Sequence, residues 1–237
     1  MDAKRIARAA AKWSAVVAGM AAGTYAMYAG VTWFRYGRPP RAQRADIDPL
    51  LDLLMPDYDV ADRHQVHVAA PADITLTAAA EMDFESNAVI RGIFKTREWI
   101  LRAKPDSAIR PRGFMEEMKS LGWGVLAELP GREIVAGGIT KPWEANPVFR
   151  ALPPDEFATF SEPGYVKIAW TLCATPAGNN DSIFRTETRA VATSLEARKR
   201  FRRYWSFLSP GIVAIRRVIV PQVKAEAERR WRSPLVA

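Results

Sequence analysis

Between Leu195 and Trp231 the chain carries an apolar stripe too long for any short element to hide. Phe201, Tyr204, Trp205, Leu208, Ile212, Ile215, Ile219 and Val223 recur at about 100° per residue. The stripe keeps its phase across Pro210 and Pro221, so one bent helix, or helices in near continuity, presents one common buried face. Lys199, Arg200, Arg202 and Arg203 occupy the flanks and the wet side. Such a face demands a partner layer of similar size.

The preceding sequence supplies one. "DVADRHQVHVAA" places Val60, Val66 and Val68 on one side and reads as a strand. "APADITLTAAAEMD" reads as a helix with Pro71 in its first turn. "SNAVIRGIFKTREWILRA" reads as a stronger helix, with Ser86 as N-cap and apolar residues from Val89 to Leu101 at helical spacing. Residues 122–129 and 132–139 form two strands around Pro130-Gly131, a hairpin signal. "PPDEFATF" reads as a short helical turn, and strands over 164–176 and 181–193 meet around "AGNND". The expected fold class is α+β: an antiparallel sheet whose apolar face is covered by the long C-terminal helix.

The N-terminal segment is of another kind. Trp13 to Phe34 contains no charged residue, and as a helix it spans roughly 33 Å, enough for a hydrocarbon core. Tryptophans sit at both ends, as interfacial rings do. Lys4, Arg5, Arg8 and Lys12 flank one end and Arg35, Arg38, Arg41 and Arg44 the other, so the positive-inside rule selects no orientation. The reading is a single transmembrane helix. A cleaved signal with Ala21-Ala22-Gly23 before the cut and a buried soluble helix are the alternatives. Gly19 and Gly23 form a small-xxx-small pair that would let a second copy approach in a homodimer. The expected organisation is a basic tail (1–12), a membrane span (13–34), a Pro- and Arg-rich linker (35–56), a folded domain (57–231) and a short tail (232–237).

Charge supports that division. The net charge of +8 splits into +7 over residues 1–45, −7 over 46–194 and +8 over 195–237. An acidic body with basic ends argues against nucleic acid as a partner and for a membrane. The single cysteine, Cys173, excludes an intrachain disulfide and, within "VKIAWTLCA", reads as a buried structural thiol.

The element order resembles the START-like helix-grip superfamily, also called SRPBCC. The resemblance rests on "VHVAAPADITLTAAAEMD", "GWGVLAELPGREIVAGG", the strand ending "FRTETRAVAT" and the helix "SLEARKRFRRYWSFLSPGIVAIRR". It implies a curved sheet wrapped around the C-terminal helix, with a cavity between them for an apolar ligand. It carries no catalytic signature.

Chemistry is sparse. There is no nucleophile elbow, zinc spacing or nucleotide-binding glycine loop, so no catalytic residue, metal or cofactor is assigned. His64 and His67 stand an odd number apart on one strand and point to opposite faces. The aromatics are more informative: Trp123, Trp170, Phe201, Tyr204 and Trp205 fall on elements facing the sheet–helix interior, and Trp143 sits in a loop at its mouth. These six are the candidate contacts of an apolar small molecule or lipid. Three functions follow: a membrane-anchored carrier of an apolar ligand, a cyclase- or aromatase-type enzyme using Glu187 or Tyr204, and a tethered interaction module with a filled core. Arg185, Glu187 and Arg189 share one face of their strand and are expected on the solvent side of the sheet, opposite Phe184, Thr186, Thr188 and Ala190.

Overall fold

A computed structural model describes residues 3–39, 41, 43, 47–83, 87–103 and 111–233, with side chains described from Lys12 onward. Five strands form one open antiparallel sheet in the order β1-β5-β4-β3-β2: β1 (Val60–Val68), β2 (Gly124–Leu129), β3 (Glu133–Thr140), β4 (Val166–Pro176) and β5 (Ser182–Ala192). The first strand therefore pairs with the last, Val60 opposite Ala190 and Val68 opposite Ser182.

One long helix, α7 (Leu195–Arg232), crosses a single face of this sheet. Ser194 caps it by accepting from the Ala197 amide. Pro210 and Pro221 lie inside it, and the helix continues through both, as the unbroken phase of its apolar stripe requires. Beneath it Val68, Trp170, Leu172, Phe184, Ile219 and Val223 form the main core together with α3 (Ala72–Glu81). The sheet residues on this side alternate along each strand, as the pleat dictates.

The other helices are α4 (Ala88–Leu101), α5 (Phe114–Ser120) and α6 (Pro154–Thr159). Ser86 lies outside the described residues; Asn87 caps α4, its Oδ1 accepting from the amides of Val89 (2.8 Å) and Ile90 (3.3 Å). Gly211 of α7 lies against α4, where a Cβ would stand 3.0 Å from Ile93 Cγ2.

The far face of the sheet is not wet. The segment read as a linker contains α2 (Pro49–Leu54), capped by Asp48 Oδ1 at 3.0 Å from the Leu51 amide. Leu51, Leu54 and Met55 pack with Phe157 of α6 and with Leu126, Val135 and Ala169 of the sheet. Each such buried side chain contributes about 1.5–3 kcal/mol, so this second, smaller core fixes α2 on the sheet. The expected solvent position of Glu187 and Arg189 is thereby corrected: they face away from α7, as alternation predicts, but they are buried under α2. Glu187 pairs with Arg63 at 2.8 Å and with Arg189 at 2.6 Å. Arg189 continues to Asp52 of α2 at 2.6 Å and donates to the Met55 carbonyl at 2.9 Å.

A second polar cluster lies nearby. Burial, followed by the hydrogen bond to Asp48 and its charge, pushes the Glu133 carboxyl up to about 8. Cys173, buried beside it, is pushed up to about 12, first by burial and then by the Glu133 charge, which leaves an inert thiol. A carboxyl raised from 4.5 to about 8 binds its proton more tightly in the folded state. Its stabilising contribution is complete below pH 4.5, shrinks above it and is gone once pH passes about 8. The thermal midpoint is therefore expected to fall by on the order of 5–10 °C between pH 5 and 9. Scanning calorimetry should show that slope flattened in Glu133→Gln; an unchanged slope removes Glu133 as its source.

The N-terminal helix α1 (Ala3–Arg35) is a separate limb whose stretch from Lys12 to Arg35 is long and apolar enough to cross a membrane. Gly19 and Gly23 have no atom within 4 Å of a built Cβ, so that face is open. Its C-terminal third docks antiparallel on α7: Tyr25 donates to the Phe207 carbonyl, Tyr28 meets Ser209 at 3.2 Å, and Arg202 donates twice to the Trp33 carbonyl at 2.6 and 2.9 Å. Asp59, fully buried, fastens the junction by accepting from Tyr36 (3.1 Å), the Ala192 amide (3.0 Å) and Arg198.

Candidate functional site

Between α7, α4 and the sheet lies a cavity of about 1260 Å³, above the roughly 300–1,000 Å³ common for small-molecule pockets. The interior expected to be either filled or hollow is hollow. Ile168 and Trp170 of β4 and Thr188 and Ala190 of β5 provide its floor. The Phe201–Ile219 stretch of α7 makes one wall, and Val89–Ile100 of α4 and Ala103 just after it, with Phe114, Glu117 and Met118 of α5, make the other. The strand residues reach it because each stands two apart on the α7 side of the pleat.

Two groups of aromatic rings line it. In one, Trp123 stacks on Phe149 with centroids 4.4 Å apart and meets Trp170 edge-on at 6.0 Å. Phe114 leans on Trp170 at 5.1 Å. In the other, Phe201 lies 6.1 Å from Tyr204 and 5.9 Å from Trp205, with Tyr36 edge-on behind it at 5.9 Å. Such offset and edge contacts hold rings without filling the space between them.

The structure thus brings Trp123, Trp170, Phe201, Tyr204 and Trp205 to one cavity. Trp143 is not among its lining residues. It packs against the small core of Val60, Val166 and Phe201, while its loop neighbours Pro142, Asn146 and Pro147 line the cavity instead. Glu187 does not enter the cavity either, because it projects to the opposite face, under α2. Tyr204 does, and so does buried Glu117. The two histidines stand apart from it: His64 pairs with Asp62 at 3.1 Å, and His67 is exposed 3.8 Å from Asp181.

Three further residues of the lining were not named from the sequence. Glu117 sits on a seven-residue helix too short for a periodic signal. Tyr25 enters the lining from α1, a segment read as a membrane span and not as part of the folded domain. Arg216 lines the cavity from α7 and does carry a signal: it stands four residues after Ile212 and three before Ile219, inside the apolar stripe. Burial lowers its pKa, with the Asp62 charge acting in the other direction.

The lining is dominated by hydrocarbon and aromatic surface, and its charged members among the described residues are Arg97, Glu98, Glu117 and Arg216. The space suits a large apolar body with one polar end. Tyr25 of α1 and the exposed α4 side chains Val89, Phe94 and Ile100 all border the cavity.

No family model matches the chain, and no curated protein matches it. Among solved structures it is similar to CalU16 from Micromonospora echinospora, with 12% identity over 72% of this chain and 85% of that one and a TM-score of 0.25. A hypothetical protein from Helicobacter pylori, jhp0584, gives 8% identity over 79% and 97% and a TM-score of 0.33. The Zhui aromatase/cyclase from Streptomyces sp. R1128 gives 14% identity over 75% and 98% and a TM-score of 0.23. At these identities and scores the likenesses carry no argument about family or activity.

Proposed function

We propose that the chain is a membrane-anchored domain that binds or carries an apolar ligand in the cavity beneath α7. The observation that carries this reading is the aromatic-lined cavity of about 1260 Å³ itself. An interior left open to this extent forfeits dispersion contacts that a filled core would make. A bound apolar molecule restores them and removes both its own surface and the cavity wall from water.

Membrane anchoring is supported by α1 and by the place where α1 meets the domain. Tyr25 belongs both to the apolar stretch and to the cavity lining, so a ligand dissolved in a bilayer would reach the cavity without crossing water. The uncharged stretch of α7 from Tyr204 to Ile215 runs beside α1 there, and Arg202 stands over the Trp33 ring at 4.4 Å, a pairing suited to a headgroup region.

The test starts from the full-length chain in membranes washed with alkaline carbonate. The chain is expected to stay in the pellet and, after detergent purification, to yield an apolar compound on organic extraction. Introducing Ile168→Trp together with Ile212→Trp, both on the cavity lining, should cut the extracted amount at least roughly fivefold by occupying the space. Release by carbonate would overturn the anchor. An empty extract from folded wild-type protein would overturn the carrier reading.

A further inference from the structure

Arg216 is the cavity-lining arginine of α7, and its side-chain hydrogen-bond partners are hydroxyls, not carboxylates. Its Nη1 donates to Thr186 Oγ1 at 2.6 Å and its Nη2 donates to Thr188 Oγ1, both neutral hydroxyls on β5. Among the described residues no carboxylate lies within 4.0 Å of its guanidinium. Asp62, on β1 directly opposite Thr188, acts on it through space without touching it; its Oδ1 meets His64 at 3.1 Å and its buried Oδ2 has no hydrogen-bond partner among the described residues.

A cation held in a low-dielectric wall is costly unless a counter-charge meets it. Two threonines orient the guanidinium fork but supply no charge, and Asp62 acts only at a distance, so no carboxylate is seated on the fork. Truncating the side chain would have been the cheaper solution for a purely structural position in an apolar stripe. The fork geometry matches carboxylate and phosphate oxygens, and the hydrogen bonds so formed are charge-assisted. The rest of the lining near it, Ile212, Ile215, Ile219 and Trp170, is suited to the body of an amphiphile.

We infer that the cavity is built for an amphiphile with one acidic head, a carboxylate or a phosphate monoester, seated on Arg216 beside Thr188, with its apolar body running between α4 and α7. This rests on the carrier reading above and narrows it from apolar ligands in general to acid-headed ones.

The experiment uses the full-length chain in neutral detergent, incubated with an equimolar mixture of oleic acid and methyl oleate and read by native mass spectrometry. The acid adduct is expected to exceed the ester adduct by about 10–100-fold, the span of one charged hydrogen-bonding head against a neutral one. In Arg216→Gln the ratio should collapse to about 1 while the ester adduct persists, and Arg216→Lys should recover part of it. Thr188→Val, which keeps the arginine but loosens its orientation, should give an intermediate ratio and serves if Arg216→Gln does not fold. Adding lysophosphatidate separates the two heads: its displacing oleate assigns the phosphate, and oleate holding its place assigns the carboxylate. Equal acid and ester adducts on wild-type protein overturn this inference alone. Absence of both adducts overturns the carrier reading with it.

Discussion

Replacing Glu187 by alanine is expected to lower the unfolding free energy by about 3–5 kcal/mol. For a domain of this size that is a fall of roughly 6–20 °C in thermal midpoint. Glu187 is fully buried and stands between two guanidinium groups, Arg63 at 2.8 Å and Arg189 at 2.6 Å. Without it both cations share one face of the sheet, and Arg189, itself 1% exposed, keeps only Asp52, the Met55 carbonyl and the Tyr58 ring 4.5 Å away. Asp52 is 45% exposed and is a weaker counter-ion than a buried one. A double variant, Glu187→Leu with Arg189→Met, removes both charges together and is expected to cost less than the two single changes added. Urea unfolding of the four proteins measures the coupling. A Glu187→Ala variant within about 1 kcal/mol of wild type would show that the network does not hold α2 in place. Because this network lies on the side of the sheet opposite the cavity, ligand adducts of the folded Glu187→Ala variant should be unchanged.

That pair of faces shows what pattern reading reaches and where it stops. Alternation along β5 placed Phe184, Thr186, Thr188 and Ala190 on the α7 side and Glu187 and Arg189 on the other, because the pleat has a fixed period of two. It says nothing about what covers each face. The cover over Glu187 comes from α2, whose "PLLDLL" is shorter than two helical turns and lies in a Pro- and Arg-rich stretch far upstream. Six residues cannot display a 3.6 period, so the segment reads as a linker. The long α7 was legible for the opposite reason: eight apolar positions repeat one phase over many turns, and two prolines do not break it. Five of the six aromatics named from the sequence meet at the cavity: β4 and α7, both of clear period, carry four of them, and Trp123 stands directly before β2. Trp143 sits in a loop with no period to orient it, and the loop turns it into a neighbouring core. Arg216 was open to discovery, since a charge inside an apolar stripe violates the stripe's own rule.

Gly122→Ala is expected to cost about 3 kcal/mol or more, and its effect bears directly on the cavity wall. Gly122 follows α5 with φ +93°, a conformation that an L side chain enters only at a cost of roughly 1–2 kcal/mol. A Cβ there would also overlap the Phe149 carbonyl oxygen, which is backbone and cannot swing aside. The neighbouring Trp123 stacks on Phe149 at 4.4 Å and reaches Trp170 at 6.0 Å, so any relief of the overlap must part rings that line the cavity. Gly164→Ala provides the control. Its φ is +94°, nearly the same, but nothing lies within 4 Å of its built Cβ, so only the backbone cost of about 1–2 kcal/mol applies. The difference between the two variants isolates the overlap from the dihedral strain. Gly122→Ala should also red-shift the tryptophan emission and reduce the extracted ligand, while Gly164→Ala changes neither. Equal losses of stability in the two variants, with unchanged emission in both, would mean that the close approach of residues 122 and 149 does not shape the wall.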